Sequence, residues 1–397
     1  MQRHQAASLG IIEAITYIYF NAVDLTRDQY MMAVVNPGQS LTDFKTVKQL
    51  IEEIYAIQVE SINKLNSHDN NNLLIRVTSG HLYVLKLLSK RSDSDWLIGI
   101  GNLMVYLHEH GIKCPLPVKL SDGRMFSFHS TMTETEIHNK VIFLQTYVPG
   151  SILYGILPSN EMYFSAGKYL GQIDNILKGF HDDRLVCDVT LGEGSEWFLT
   201  ALPKLRSYYD VISDNSNMEM VEFYIKQFED RVLTNLHHLK EGTIHGDFHD
   251  ENIIINDGAS DSPYTFRQGG KTYQMTGIID FNDAQCSYYL FEVAIAIACF
   301  MLESDNPLLV GGHFLAGYLK NFQLPDFELT LLYNCIAGRL CQEAVLGNNQ
   351  LKLGPTNVYL SDIVAKAWKT LHIMKQTTQQ FTEHAWSSII DSHVKTK

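Results

Sequence analysis

At 397 residues the chain is too long for one typical domain and suits two lobes, each with room for its own core. A formal charge of −13 argues against nucleic acid or an anionic membrane as the main partner, since both demand basic surface, and it is compatible with a cationic substrate. Hydrophobic residues at 45% against 19% charged are the balance of a globular protein, and six cysteines with no C-x-x-C pair and no cysteine–histidine zinc spacing read as reduced thiols of a cytoplasmic chain.

Residues 1–36 are expected to lie outside the main fold. The apolar run from Leu9 to Val23 is interrupted by Glu13 and lacks a small-residue cleavage site, which argues against a signal peptide; Glu13, Asp24 and Asp28 argue against a mitochondrial presequence. After the turn Asn36-Pro37-Gly38, residues 40–55 place Leu41, Phe44, Val47, Leu50, Ile51 and Ile54 at helical spacing. Strands are expected at 59–65, 72–78 and 83–88, separated by the polar loop 67–71 and the turn Ser79-Gly80, and they form an antiparallel meander. A helix over 95–110 closed by Gly111 and strands at 118–120, 126–128 and 141–147 complete the first lobe, 37–146.

The second lobe, 147–397, reads as mainly helical: 161–180, 194–209, 218–239, 290–302, 312–322 and 330–346 carry helical spacing, with short strands at 253–255, 273–275 and 277–280. The fold class is therefore α+β and bilobal, with a small antiparallel sheet in the first lobe and a larger helical second lobe. The run 294–301 is apolar but too short to span a bilayer, so no membrane partner is expected.

Chemistry concentrates at His245-Gly246-Asp247-Phe248-His249-Asp250-Glu251-Asn252, followed by three isoleucines. It fits H-x-D-x-x-x-x-N, the spacing of a kinase catalytic loop, in which the aspartate orients and deprotonates an acceptor hydroxyl and the asparagine binds Mg²⁺. Downstream, Gly277-Ile278-Ile279-Asp280-Phe281 is an apolar strand ending in an acid and an aromatic, where such a fold places its second metal ligand. Asp247 is thus the expected catalytic residue, and Asn252 and Asp280 the metal ligands. Lys86, on the strand Tyr83-Val84-Leu85-Lys86, is placed to hold the α- and β-phosphates. The loop 67–71 stands where a glycine-rich loop would, and Ser67 and Asn71 are its expected phosphate contacts.

These motifs resemble the aminoglycoside phosphotransferase-like superfamily, with its bilobal protein-kinase-like fold, over about residues 37–380. Within it, Tyr83 to Lys86, Thr146 to Gly150, Tyr288 to Ile295 and Val310 to Gly317 are similar to the hydroxylysine kinases. That resemblance implies transfer of the γ-phosphoryl group of GTP (or ATP) to the side-chain hydroxyl of 5-hydroxy-L-lysine, with Mg²⁺ as cofactor. It also implies that Leu144 and Tyr147, on the connecting strand, present backbone groups to the base. Choline, homoserine, methylthioribose or aminoglycoside kinases share the motifs, because the fold determines the reaction and leaves the acceptor open.

Two features depart from the superfamily pattern and motivate a nucleotide-binding pseudokinase as the alternative from another class. The helix after Lys86 has no glutamate between Trp96 and Leu107 to pair with the lysine, and Asn282 replaces the glycine after Asp280-Phe281, where asparagine would tolerate left-handed backbone angles. On the acceptor side, His249 either faces the γ-phosphate or packs; Asp283 either supports the metal site or caps the next element. Arg339 either binds a substrate carboxylate or pairs with Glu343 one turn on. His245 is expected to bond the loop backbone and Glu292 to anchor the loop.

Overall fold

The computed structural model describes residues 44–65, 72–89, 94–132, 137–185, 195–258, 262–354 and 356–395. Helix α1 (Phe44–Tyr55) buries Val47, Leu50 and Ile51, the expected apolar stripe. Strands β1 (Val59–Lys64), β2 (Asn72–Val77) and β3 (Leu82–Ser89) form the antiparallel meander, and with β4 (Ser127–Met132) and β5 (Ile137–Thr146) they make a five-stranded sheet in the order β1-β2-β3-β5-β4. Leu85 and Leu87 point to one face, into a small core with Leu73, Ile75 and Ile142, which turns Lys86 to the other face. No strand forms at 118–120. Pro115 and Pro117, just before it, remove two donors from the approach to the sheet, and the segment keeps an isolated bridge from Pro117 to Gln145, a bond from the Val118 N–H to the Leu144 carbonyl and one from the Leu120 N–H to the Arg124 carbonyl.

Helix α2 (Ser94–Glu109) follows β3, but its buried face of Leu97, Ile100, Leu103 and Leu107 joins the large core of the second lobe. That core is built by α3 (Asn160–Leu177), α4 (Asn215–Arg231), α5 (Tyr289–Leu302), α6 (Pro307–Tyr318), the short α7 (Asp326–Leu329) and α8 (Leu332–Leu353), covered by α9 (Val358–Gln376) and α10 (Gln379–Lys395). The helix expected at 194–209 is instead two 3₁₀ segments, Ser195–Trp197 and Leu199–Val211, the second containing Pro203, which has no N–H to give to an α-helical ladder. The helix expected at 218–239 divides into α4 and a 3₁₀ turn, Leu233–His238.

Between the helices, β6 (Ser151–Ile152), β8 (Ile253–Asp257), β9 (Thr265–Gln268) and β10 (Lys271–Ile278) form a four-stranded sheet ordered β6-β8-β10-β9. The two strands expected at 273–275 and 277–280 are the single strand β10, with a register shift between Met275 and Gly277. A two-stranded ribbon pairs β7 (Glu241–Ile244) with β11 (Gln285–Tyr288). Cys114, Cys335 and Cys341 are buried, Cys286 and Cys299 half-buried, and all five are free thiols; Cys187 lies outside the described residues. Residues 1–36 also lie outside them. No helix among the described residues is long and apolar enough to cross a membrane.

Candidate active site

Two strand pairings bring the motifs together. Ile244, at the end of β7, pairs with Gln285 of β11, and Ile253, at the start of β8, pairs with Ile278 of β10. The loop 245–252 and the turn 279–284 are therefore held side by side at both ends. The Ile279 N–H donates to the Asn252 carbonyl at 2.9 Å, and His245 Nε2 donates to the Ile279 carbonyl at 3.0 Å. His245 Nδ1 accepts the Asp247 N–H at 3.3 Å, so both ring nitrogens are used by backbone in the neutral tautomer. Burial lowers its pKa further, consistent with a structural role.

Gly246 has φ +80°, and a Cβ there would lie 2.3 Å from the Asp283 carbonyl oxygen, so no larger residue fits. Its N–H donates at 2.8 Å to Glu292 Oε2 on α5. Glu292 has no exposed surface, and burial, with Asp174 beside it, pushes its carboxyl well up. A carboxyl shifted toward its neutral form accepts the loop N–H at lower cost than a full charge would carry in the apolar core.

Asp247 is surrounded by donors. Asn252 Nδ2 donates to its carbonyl oxygen at 2.9 Å and to Oδ2 at 3.0 Å, His249 Nε2 lies 3.3 Å from Oδ2, and an Arg339 terminal nitrogen lies 3.9 Å from Oδ1. Burial would raise this carboxyl, but His249 and Arg339 outweigh it and hold the group well below the usual carboxylate range. For His249 burial acts downward, and Asp247 and Asp250 overcome it, raising the imidazole well above its ordinary value. The Glu251 N–H approaches His249 Nδ1 at 3.3 Å, which suits a neutral ring; two carboxylates against one amide favour the cation. Asp250, which the motif spacing did not single out, is thus the second anchor of His249.

Arg339 on α8 is bound by Nε to Glu343 at 2.8 Å, and its guanidinium lies 4.9 Å from the Trp197 ring centroid. The pairing with Glu343 is therefore present, and the same guanidinium also borders Asp247. Trp197 had no motif to mark it. It is held by Gln342, whose Nε2 donates to the Glu196 and Phe198 carbonyls at 2.7 and 3.0 Å. Asp283 borders the same space: burial, with Asp247 and Asp280 adding repulsion, pushes its carboxyl up to about 7.

From the small sheet, Lys86 Nζ donates to Asp280 Oδ1 at 2.7 Å and to Asn282 Oδ1 at 3.3 Å, with only 4% of the residue exposed. These are the partners it has in place of a helix glutamate. The left-handed backbone angle expected at Asn282 falls instead on Asp280, with φ +63°. The bend is needed where the chain leaves β10, and the Asn282 N–H then reaches back to Asp280 Oδ1 at 3.4 Å.

The residues fit a divalent cation. Asn252 spends its amide hydrogens on Asp247, which leaves Oδ1 to face a metal, and Asp280 spends Oδ1 on Lys86, which leaves Oδ2. Two hard oxygens suit an ion that takes its other ligands from phosphates and water; among the described residues no group of three or more His, Cys, Asp or Glu could hold a metal alone. Leu144 does not fit a base contact. It is fully buried, its N–H donates to the Tyr55 hydroxyl at 3.1 Å, and its carbonyl accepts from Val118 at 2.8 Å. The Tyr147 N–H is bonded to the Leu82 carbonyl at 3.2 Å. Ser67 and Asn71 lie outside the described residues.

Known proteins share the family and the fold. Residues 62–328 match the model of the phosphotransferase enzyme family. The chain is similar to hydroxylysine kinase of Bos taurus, 30% identical over 87% of this chain and 92% of that protein, and to hydroxylysine kinase of Xenopus laevis, 29% identical over 94% of this chain and all of that one. In fold it is similar to the amicoumacin kinase hAmiN, solved with AMP-PNP, Ca²⁺ and Ami, with a TM-score of 0.58 at 19% identity, covering 83% of this chain and 93% of that one. Sheet, loop and turn thus come together as in a bilobal kinase-like enzyme, and the chain belongs to the phosphotransferase enzyme family, transferring a phosphoryl group to a hydroxyl.

Proposed function

We propose that the protein transfers the γ-phosphoryl group of GTP to the side-chain hydroxyl of 5-hydroxy-L-lysine, in the cytoplasm. The observation that carries the kinase chemistry is the convergence of Lys86 from the small sheet with Asp280, and of Asn252 with Asp247, in one cleft. The acceptor and donor rest on the likeness to the hydroxylysine kinases. On this reading residues 37–146 cover the nucleotide and 147–397 carry the catalytic loop and the acceptor pocket.

Asp247 orients the acceptor hydroxyl. Its depressed pKa keeps it ionised at physiological pH, so it takes the proton late, as suits a loose phosphoryl-transfer transition state. Lys86 holds the α- and β-phosphates. Asn252 and Asp280 would hold Mg²⁺, which when bound neutralises charge on the phosphates. His249, Asp283 and Arg339 line the acceptor side, where a substrate carboxylate must share Arg339 with Glu343.

The test is phosphate transfer by the purified protein to 5-hydroxy-L-lysine with Mg·GTP and Mg·ATP in parallel. Turnover should be faster with GTP, and Asp247→Ala should lower kcat by about 10²–10⁴-fold. Turnover of other hydroxylated amines but not of hydroxylysine would leave the kinase and remove the acceptor; no turnover of any acceptor would turn the reading to a pseudokinase.

A further inference from the structure

Lys86 is an almost fully buried ammonium, and a buried cation needs fixed acceptors. In kinase folds the usual acceptor is a glutamate on the helix that follows the lysine strand. Here that helix, α2, carries acids only near its ends, at Asp95 and Glu109, both exposed, and its buried face is committed to the large apolar core. The acceptors of Lys86 are Asp280 and Asn282, both on the turn after β10. They are not equivalent. Asp280 is also an expected cation ligand, whereas the Asn282 amide oxygen is a neutral acceptor aimed at Lys86.

We infer that Asn282 is the positioning residue for Lys86, taking over from the missing helix glutamate by holding the ammonium from the opposite lobe. This rests on the kinase reading and deepens it. Because Asn282 is neutral, it orients the lysine without cancelling its charge, so among the described residues Asp280 is the one acidic partner that offsets the charge Lys86 offers to the phosphates. The arrangement also explains why the glycine of the superfamily turn is dispensable: the positive φ sits at Asp280, and position 282 is free to carry a side chain.

The test is a double-mutant cycle on nucleotide binding, read by calorimetric titration of GTP with and without Mg²⁺, for the wild type, Asn282→Ala, Lys86→Met and the double variant. Asn282→Ala should weaken GTP about tenfold in both conditions, the scale of one hydrogen bond to a charged group. It should leave the KM for the acceptor unchanged. In the Lys86→Met background the same substitution should have no further effect, and Asn282→Asp, which keeps an oxygen at the same place, should restore the melting temperature of the nucleotide-free protein if Asn282→Ala lowers it. Wild-type affinity in Asn282→Ala would overturn the inference, as would an equal loss in the Lys86→Met background, since Asn282 would then act on something other than the lysine. A wild-type protein that binds no GTP or ATP at all would overturn the kinase reading itself, and this inference with it.

Discussion

The small sheet and the segment from β7 to β11 meet at the same cleft but are built on opposite plans. The sheet is an apolar device: among the described residues of the first lobe Lys86 is the one buried charged side chain, and the strand that carries it is held by leucines on its other face. The second lobe does the reverse. It buries Asp174, Glu292, Glu328 and Arg339, and strings backbone and side-chain bonds from Glu292 through Gly246 and His245 to Ile279 and Asn252. A single charge can be aimed by a rigid strand, whereas a loop that must present an aspartate and an asparagine at once needs every turn of its backbone bonded to something.

The largest effect that would sharpen this contrast comes from two glycines, both with positive φ. Gly246→Ala should cost about 3 kcal/mol or more, from left-handed strain together with overpacking against the Asp283 carbonyl. Gly80→Ala, in the β2–β3 turn with φ +86° and open space around it, should cost only about 1–2 kcal/mol. Urea unfolding midpoints check both, and equal losses would break the comparison.

Glu292 comes next. Glu292→Ala leaves the Gly246 N–H buried without an acceptor and should cost about 1–3 kcal/mol, with a fall in kcat as the loop loosens. Glu292→Gln, which mimics the neutral acid, should stay close to wild type in both stability and turnover. A large loss in the glutamine variant would mean that the carboxyl is ionised under the loop.

Smallest over any single pH unit, though it accumulates across several, is a slope. Asp174 is fully buried, accepts the Tyr318 hydroxyl at 2.7 Å, and is pushed by burial from 3.8 to about 8. Its contribution to stability is therefore fully present below about pH 4 and is lost as pH rises through about 8, at no more than about 1.4 kcal/mol per pH unit. Asp174→Asn should flatten that decline, which thermal melts at a series of pH values would reveal; parallel curves for the two proteins would show that the group titrates normally.

Much of the site was legible in the chain. His245, Asp247 and Asn252 stand at a spacing that a loop between two short strands requires, and the apolar run into Asp280 marks a buried strand with an acid at its end. Elements failed where proline chemistry overrode apolar pattern, at 118–120 and around Pro203. The partners of Lys86 were not legible, because 194 and 196 positions separate it from Asp280 and Asn282 and no local pattern reports such a contact. The same holds for Trp197, 142 positions from Arg339.

By itself the sequence determined which groups exist for the reaction and on which local scaffolds they ride, because strand alternation and loop spacing are short-range properties of the chain. Only the tertiary structure decided how they are used: that the left-handed bend falls on Asp280, that Leu144 is closed off by Tyr55 and Val118, and that Lys86 is held from the opposite lobe. Each of these depends on which distant backbone closes against which, and that is settled by packing two cores around one cleft rather than by any residue's own preference.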